Sequence, residues 1–247
     1  MTISKHVQAL FRSFGLNLSR LPVNRFDAMA DALARLPGAG FTPTVIVDVG
    51  ANSGQWAAKI SDVYPSVPLH VVEPQAECRP ALEALRAGRS GVEIHSVLLS
   101  KPGAREVMMA GVGTGSTGAY VVPDPAGRGD LTPMRATTLD ELIGPRLTPN
   151  DRVLLKLDVE GHELDVLAGA QQVLPRVEVL VSEVQFYDIE HFGNPVFADY
   201  VAAFDRCGFQ LYDVASLSAR LRDDRLSVGD VVFVRRGSIL AADVRWQ

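Results

Sequence analysis

Thr44-Val45-Ile46-Val47-Asp48-Val49-Gly50-Ala51-Asn52-Ser53-Gly54-Gln55-Trp56 joins a buried strand to a helix through a glycine loop, with a carboxylate just ahead of the loop. The run Val45 to Val49 is β-branched and does not alternate, as expected of a parallel strand covered on both faces. Gly50 and Gly54 let the backbone turn tightly and approach a ligand with no Cβ in the way. The stretch therefore reads as a nucleotide-type cofactor turn in an α/β protein.

The kind of cofactor follows from what the loop lacks and from what comes after it. A dinucleotide loop reads Gly-x-Gly-x-x-Gly and lays a pyrophosphate on the amides of the next helix. Here the spacing is Gly50-x-x-x-Gly54, and Asp48 would repel a pyrophosphate while suiting an ammonium group. About twenty residues on, the strand Leu69-His70-Val71-Val72 runs into Glu73-Pro74, and a carboxylate at that spacing accepts hydrogen bonds from both ribose hydroxyls. S-adenosylmethionine offers an amine, a carboxylate and an unphosphorylated ribose, so it fits both acids.

Outward from the loop, the chain keeps alternating strand and helix. A helix over Phe26 to Leu36 stops at the breaker cluster Pro37-Gly38-Ala39-Gly40, which divides an N-terminal helical extension, residues 1–40, from a main domain, residues 41–247. Strand 45–49 leads into a helix from Gln55, strand 69–73 into a helix from about Ala76 to Ala87, and Val92 to Leu99 reads as a third strand. Such crossovers imply a parallel sheet with helices on both faces. Lys101 to Asp130 interrupts the pattern with a short strand near Glu106 to Met109 and a glycine-rich tract over 111–118 that lacks Gly-Lys-Ser/Thr; it reads as a hairpin or lid beside the site. Thr138-Leu139-Asp140-Glu141-Leu142 reads as a short capped helix. Strand Val153 to Leu157, a helix reaching about Leu174, strand Val177 to Val184 and a helix over Val196 to Cys207 follow. Strands near Phe209–Asp213 and Val231–Arg235 form an antiparallel pair at one edge.

With 247 residues, 47% of them hydrophobic, the chain can bury one α/β core. A net charge of −5 and no basic stripe argue against nucleic acid as the partner. Cys78 and Cys207 stand far apart without Cys-x-x-Cys or histidine spacing, which suggests two reduced thiols rather than a disulfide framework or a cysteine zinc site. No apolar run approaches the ~20 residues of a membrane helix and no cleavable leader is evident, so a cytoplasmic protein is expected. Ile3, Val7, Leu10, Phe11, Phe14 and Leu18 recur at helical spacing among Lys5, Arg12 and Arg20. Such a stripe packs on its own domain or on a second copy in a homodimer, or lies as a peripheral helix on a membrane surface.

A second constellation, Asp158, Glu160, His162 and Glu163, crowds a strand-to-helix turn, and Glu183 ends the next strand. In open α/β sheets ligands bind outside the carboxyl ends of such strands. Acids that converge on one crevice are costly unless a cation or a substrate hydroxyl shares them. Two mechanisms fit: Glu160 or His162 takes the proton of a substrate hydroxyl, or Asp158 and Glu183 hold a magnesium ion that binds the hydroxyl as an alkoxide. Glu163 and Asp165 suit the helix N-terminus, where the dipole favours carboxylates.

These residues together resemble the FkbM family of S-adenosylmethionine-dependent methyltransferases. The resemblance rests on Val47 to Trp56, on Val72-Glu73-Pro74, on Thr138-Leu139-Asp140 and on Leu155-Lys156-Leu157-Asp158-Val159-Glu160-Gly161-His162-Glu163. The strand end Val181-Ser182-Glu183-Val184-Gln185-Phe186 and the tail Gly229-Asp230-Val231-Val232-Phe233-Val234 are similar too, so it spans roughly residues 44 to 235. It implies a Rossmann-like, seven-stranded, mostly parallel sheet, the class I methyltransferase fold. It also implies that Asp48, Gly50, Asn52, Gly54 and Glu73, with Gln55 at the helix start, hold the cofactor. Ser100-Lys101 departs from the acidic residue expected there, which leaves the adenine contacts open. The implied activity is methylation of an oxygen, often a sugar hydroxyl on a lipid, polyketide or polysaccharide. The expected acceptor is thus the sugar of a glycolipid or other glycosylated metabolite, and Gln185, Phe186, Tyr187, His191 and Phe192 offer it aromatic faces and polar edges. The alternative is a non-sugar small molecule, through a polyketide hydroxyl or a carboxylate.

Overall fold

In a computed structural model of the chain, residue 14 and residues 24–113, 117–122, 129–189, 193–242 and 244–245 are described. The apolar stripe over 3–18, apart from Phe14, lies outside the described residues, as do His191 and Phe192.

α1 (Arg25–Leu33) is capped by Asn24, whose side chain accepts from the Asp27 amide at 3.0 Å. β1 (Val45–Val49) is buried throughout, and Gly54, in the left-handed conformation, starts α2 (Gln55–Val63). β2 (Leu69–Val72) is followed by α3 (Arg79–Gly88), with proline in its first turn. The single strand expected over Val92 to Leu99 is two, β3 (Val92–His95) and β4 (Leu98–Leu99), because the chain changes sheets between them. β5 (Glu106–Ala110), β6 (Tyr120–Val121) and β7 (Thr132–Thr137) join β4 in a small sheet of order β4-β7-β5-β6, which is the inserted hairpin. α4 (Leu139–Leu142) opens with the expected capping box: Thr138 Oγ1 accepts from the Glu141 amide at 3.0 Å, and the Glu141 carboxylate accepts from the Thr138 amide at 3.3 Å. β8 (Val153–Leu157) leads to α5 (Glu163–Ala168), shorter than the helix expected to Leu174. It stops where Gly169 passes the Ser100 carbonyl, so close that a Cβ would lie 2.3 Å from it. β9 (Val177–Gln185), α6 (Phe197–Arg206), β10 (Phe209–Ala219) and β11 (Leu226–Arg235) complete the chain.

The main sheet runs β10-β11-β9-β8-β1-β2-β3. β9, β8, β1, β2 and β3 are mutually parallel, while β11 is antiparallel to β9 and to β10. This is the seven-stranded, mostly parallel arrangement that the resemblance implied.

Each face of the sheet has its own core. Val47, Leu155, Val166, Phe204 and Phe233 pack together on one face under α5 and α6. Ile46, Trp56, Ile60, Leu154, Val181 and Val232 pack on the other, together with Met29, Leu33 and Leu36 from α1 and the turn after it. Side chains alternate along a strand. Continued by twos, the second series reaches Asp48 on β1, Lys156 and Asp158 on and after β8, Glu183 on β9 and Asp230 on β11. Register confirms the neighbours, with Asp48 opposite Lys156 and Asp230 opposite Glu183. An apolar face therefore ends in a charged rim, and α1 lies over it.

Candidate active site

The rim is neutralised from below and from above. Lys156 Nζ lies 3.0 Å from Asp48 Oδ1 and 3.2 Å from Asp158 Oδ2. Arg25 reaches down from α1, with Nη1 2.8 Å from Glu183 Oε1, Nη2 3.4 Å from Asp158 Oδ2, and a two-pronged pair with Asp230 whose Nε arm measures 3.0 Å. Buried charges persist only when paired in this way. Burial opposes the charge on Lys156, but Asp158 and Asp48 outweigh it and hold its pKa above the usual lysine value. Burial likewise opposes ionisation of Asp158, yet Lys156 and Arg25 keep its carboxyl below the usual range. Glu183 goes the other way: burial, then the charge of Asp158, push it well up.

This geometry changes two readings made from the sequence. Asp48, expected to meet a ligand ammonium, is fully buried against Lys156 and lines neither of the cavities described below. The magnesium ion expected between Asp158 and Glu183 does not fit the residues as they stand. The carboxylates of Asp158, Glu183 and Asp230 do converge within 4.8 Å, as metal ligands would. The Arg25 guanidinium, however, already engages all three, and a dication would have to displace it.

Gly50 is required by the packing of the protein itself. At its φ of +79° a Cβ would lie 1.9 Å from the Asp158 carbonyl oxygen, so glycine lets the loop after β1 touch the turn after β8.

Above this floor lie two cavities. One, of ≈ 530 Å³, has Glu73 at its end and Val72, Val97, Leu98 and Leu99 along an apolar wall, with Met109, Ala119 and Val121 of the small sheet closing it. The other, of ≈ 490 Å³, is lined by Arg25, Ser53, Gln55, Trp56 and Lys156. Gly50, Asn52, Thr117, Asp158 and Glu160 line both, so the two spaces meet there. Glu73 Oε2 accepts from the Asn52 amide at 2.7 Å and Oε1 from the Gln75 amide at 2.9 Å. With the Gln75 side chain bonded to it as well, the carboxylate still has acceptor capacity left for a ligand hydroxyl. Gly54, also expected at the ligand, instead starts α2 and abuts Leu82 and Leu85 of α3.

The turn after β8 is built around Glu163. Its Oε1 accepts from the Val159 amide at 2.9 Å and from the Gly161 amide at 3.3 Å, and its Oε2 accepts from the Tyr200 hydroxyl at 2.8 Å. This clamp holds Glu160 at φ +55°, a left-handed conformation that costs a residue with a side chain ~1–3 kcal/mol. Burial, followed by the charges of Asp158 and Glu163, pushes the Glu160 carboxyl up to about 8. His162 lines the first cavity, and its Nε2 lies 2.9 Å from Ser100 Oγ. Burial lowers its pKa, so the ring favours its neutral form.

A Methyltransferase FkbM domain matches residues 48–211. The chain belongs to the FkbM methyltransferase family. As a member it is a methyltransferase that depends on S-adenosylmethionine, and the lone pairs of Glu73 beside an apolar slot fit the adenosine of that cofactor. No curated protein matches the chain. Among solved structures, EvdMO1 aligns with a TM-score of 0.48 and 14% identity over 94% of this chain and 47% of its own, so this FkbM chain spans about half of that one. The magnesium protoporphyrin IX methyltransferase of Synechocystis PCC 6803, with bound S-adenosylmethionine, aligns at 0.46 and 11% over 94% and 92% of the two chains. An rRNA methylase from Streptococcus thermophilus aligns at 0.46 and 13% over 88% and 98%.

Arg25, Lys156, Asp230 and Tyr200 belong to this FkbM site although none was singled out for a role from the sequence. A lysine within an otherwise apolar strand was a usable signal for Lys156, since a buried ammonium needs carboxylates nearby.

Proposed function

We propose that the protein is an S-adenosylmethionine-dependent O-methyltransferase whose acceptor is a sugar hydroxyl, carried on a glycolipid or another glycosylated metabolite. Glu160 carries this reading: it stands where the two cavities meet, and its carboxyl is pushed up to about 8. An alcohol is a poor nucleophile until its proton leaves, and a carboxyl that ionises near neutrality is suited to take it. His162, with Nε2 on Ser100, is the less available base. Asp158, held ionised by Lys156 and Arg25, accepts a hydrogen bond from the ligand.

In this reading the first cavity holds adenosine, with both ribose hydroxyls on Glu73. The second receives the amino-acid end of the cofactor, near Asn52 and Gln55, and the acceptor. When bound, S-adenosylmethionine supplies a sulfonium methyl to an oxygen aligned with it. Polar edges from Arg25, Ser53 and Gln55 beside the Trp56 indole suit a sugar, which offers hydroxyls around its rim and C–H groups on its faces. Cys78 and Cys207 are unpaired thiols, which supports a reducing, cytoplasmic setting. No helix among the described residues is long and apolar enough to cross a membrane.

Incubating the protein with labelled S-adenosylmethionine and fractionated glycolipid and small-molecule extracts tests the acceptor. Label is expected in a glycolipid or glycoside; label confined to products without sugar would replace the acceptor proposed here. Glu160→Gln is expected to slow methyl transfer by about 10²–10⁴-fold while leaving cofactor affinity nearly unchanged. An unaltered rate would remove Glu160 from the reaction.

A further inference from the structure

The β2–β3 edge of the main sheet carries side chains for which methyl transfer has no use. Register sets His70 of β2 opposite Glu93 of β3, and Val72 opposite His95. Alternation then puts His70, Glu93 and His95 on one face, away from Leu69, Val71 and Ile94, which pack beneath α2 and α3. Their donor atoms converge. His70 Nδ1 lies 3.2 Å from His95 Nε2, and Glu93 Oε2 lies 3.5 Å from the first and 3.9 Å from the second. None of the three lines either cavity of the methyltransferase site.

A tetrahedral ion with bonds of about 2.0–2.2 Å holds its ligand atoms about 3.3–3.6 Å apart, and the three edges of this triangle bracket that range. We propose that His70, Glu93 and His95 bind a divalent transition-metal ion of the zinc class, separate from the acids that face Arg25. Two imidazoles and one carboxylate suit zinc, whereas magnesium prefers an octahedron of oxygens. His70 Nδ1 and His95 Nε2 share one hydrogen bond, so one ring moves its proton to its other nitrogen for both to face the metal with a lone pair. The neighbouring cation, Arg146, has its Nε 3.5 Å from Glu93 Oε2, and its Nη1 donates to the Leu142 carbonyl. A metal displaces it from Glu93 alone.

The site adjoins the cofactor end of the protein. The His95 carbonyl accepts from the Glu73 amide at 3.0 Å, so an ion on the His95 ring anchors β3 where its backbone holds the ribose-binding carboxylate.

Full-length protein stripped with a chelator, dialysed and titrated with zinc by calorimetry tests this directly. One equivalent of zinc is expected to bind, in preference to magnesium, and to raise the melting temperature. Glu93 is 58% exposed, so Glu93→Gln leaves the fold intact, as circular dichroism will verify. It is expected to weaken zinc binding more than about tenfold, since even residues that only support metal ligands cost that much. His70→Ala and His95→Ala are expected to abolish it. No zinc binding by the wild type, or equal binding by all three variants, overturns the proposal; the second result places the metal on other side chains.

Discussion

A lysine enclosed in a strand that is buried on both faces has to find its counter-charges within reach, and Lys156 finds them in Asp48 and Asp158. Asp48 was legible in the sequence as a special position but not in its role, because position along a strand does not say which neighbour lies across the sheet. Glu160 was legible in its place at the cavities, since a carboxylate in the turn after a parallel strand faces the crevice. Its ionisation sets two opposed pH trends. If it is the base, methyl transfer rises as pH climbs toward about 8, where the proton leaves. Stability moves the other way: the folded group keeps its proton to about 8 while the unfolded one has lost it near 4.5. The folded protein thus binds more protons between those values, and stability falls as pH rises through them. A pH–rate profile and denaturant midpoints across the same range check both trends, and in Glu160→Gln both should flatten. Gly50→Ala is expected to cost about 1–3 kcal/mol for its left-handed backbone alone, and more for a Cβ placed 1.9 Å from the Asp158 carbonyl. Its urea midpoint measures the sum.

At the scale of elements, α1 and the turn after β8 carry the site. The helix at 25–33 and the short capped helix at 139–142 could be read from caps and periodicity, which are local signals. Arg25 could not be: it stands 133 residues from Asp158 and 205 from Asp230, and no local pattern reports such a pairing. The split of the expected 92–99 strand was hidden for the same reason, as a change of sheet leaves no mark on alternation. Arg25→Ala strands Asp158, Glu183 and Asp230 together without their guanidinium. Breaking a buried pair costs about 3–5 kcal/mol, and the lower end applies here because Arg25 is 27% exposed. The deficit should shrink in acid, where Glu183, pushed up by burial and by Asp158, takes a proton and sheds its share of the unpaired charge, and denaturation at pH 5 and pH 8 compares the two. Tyr200→Phe removes the hydroxyl that holds Glu163 Oε2 at 2.8 Å, with an expected loss of about 1–3 kcal/mol. Turnover should fall with it while cofactor affinity holds, because the loosened turn is the one that aims Glu160. A kcat unchanged beside a lowered midpoint would confine Tyr200 to a structural role.

For the whole molecule, the seven-stranded sheet was legible because five parallel strands announce themselves as apolar runs at regular spacing. How far the core extends was less so. The breaker cluster at 37–40 marks a bend in the chain, yet Met29, Leu33 and Leu36 ahead of it pack in one cluster with Ile46 and Trp56 behind it. Burying each such side chain is worth about 1.5–3 kcal/mol, against a total of about 5–15 for a whole domain. A chain beginning at residue 41 is therefore expected to lose its cooperative thermal transition and its cofactor binding. A sharp melt with intact binding would make the helix an appendage. The contact of Gly50 with the Asp158 carbonyl sets a further condition on the intact enzyme. It joins the loop after β1 to the turn after β8 main chain to main chain, so on the proposed reading no rotamer can widen the gap between donor and acceptor. On that reading, entry of substrate and escape of product are timed from overhead, by the small-sheet strands bearing Met109 and Val121 or by the helix bearing Arg25. Where release limits turnover, speed should respond to changes in that roof and be indifferent to conservative changes in the floor.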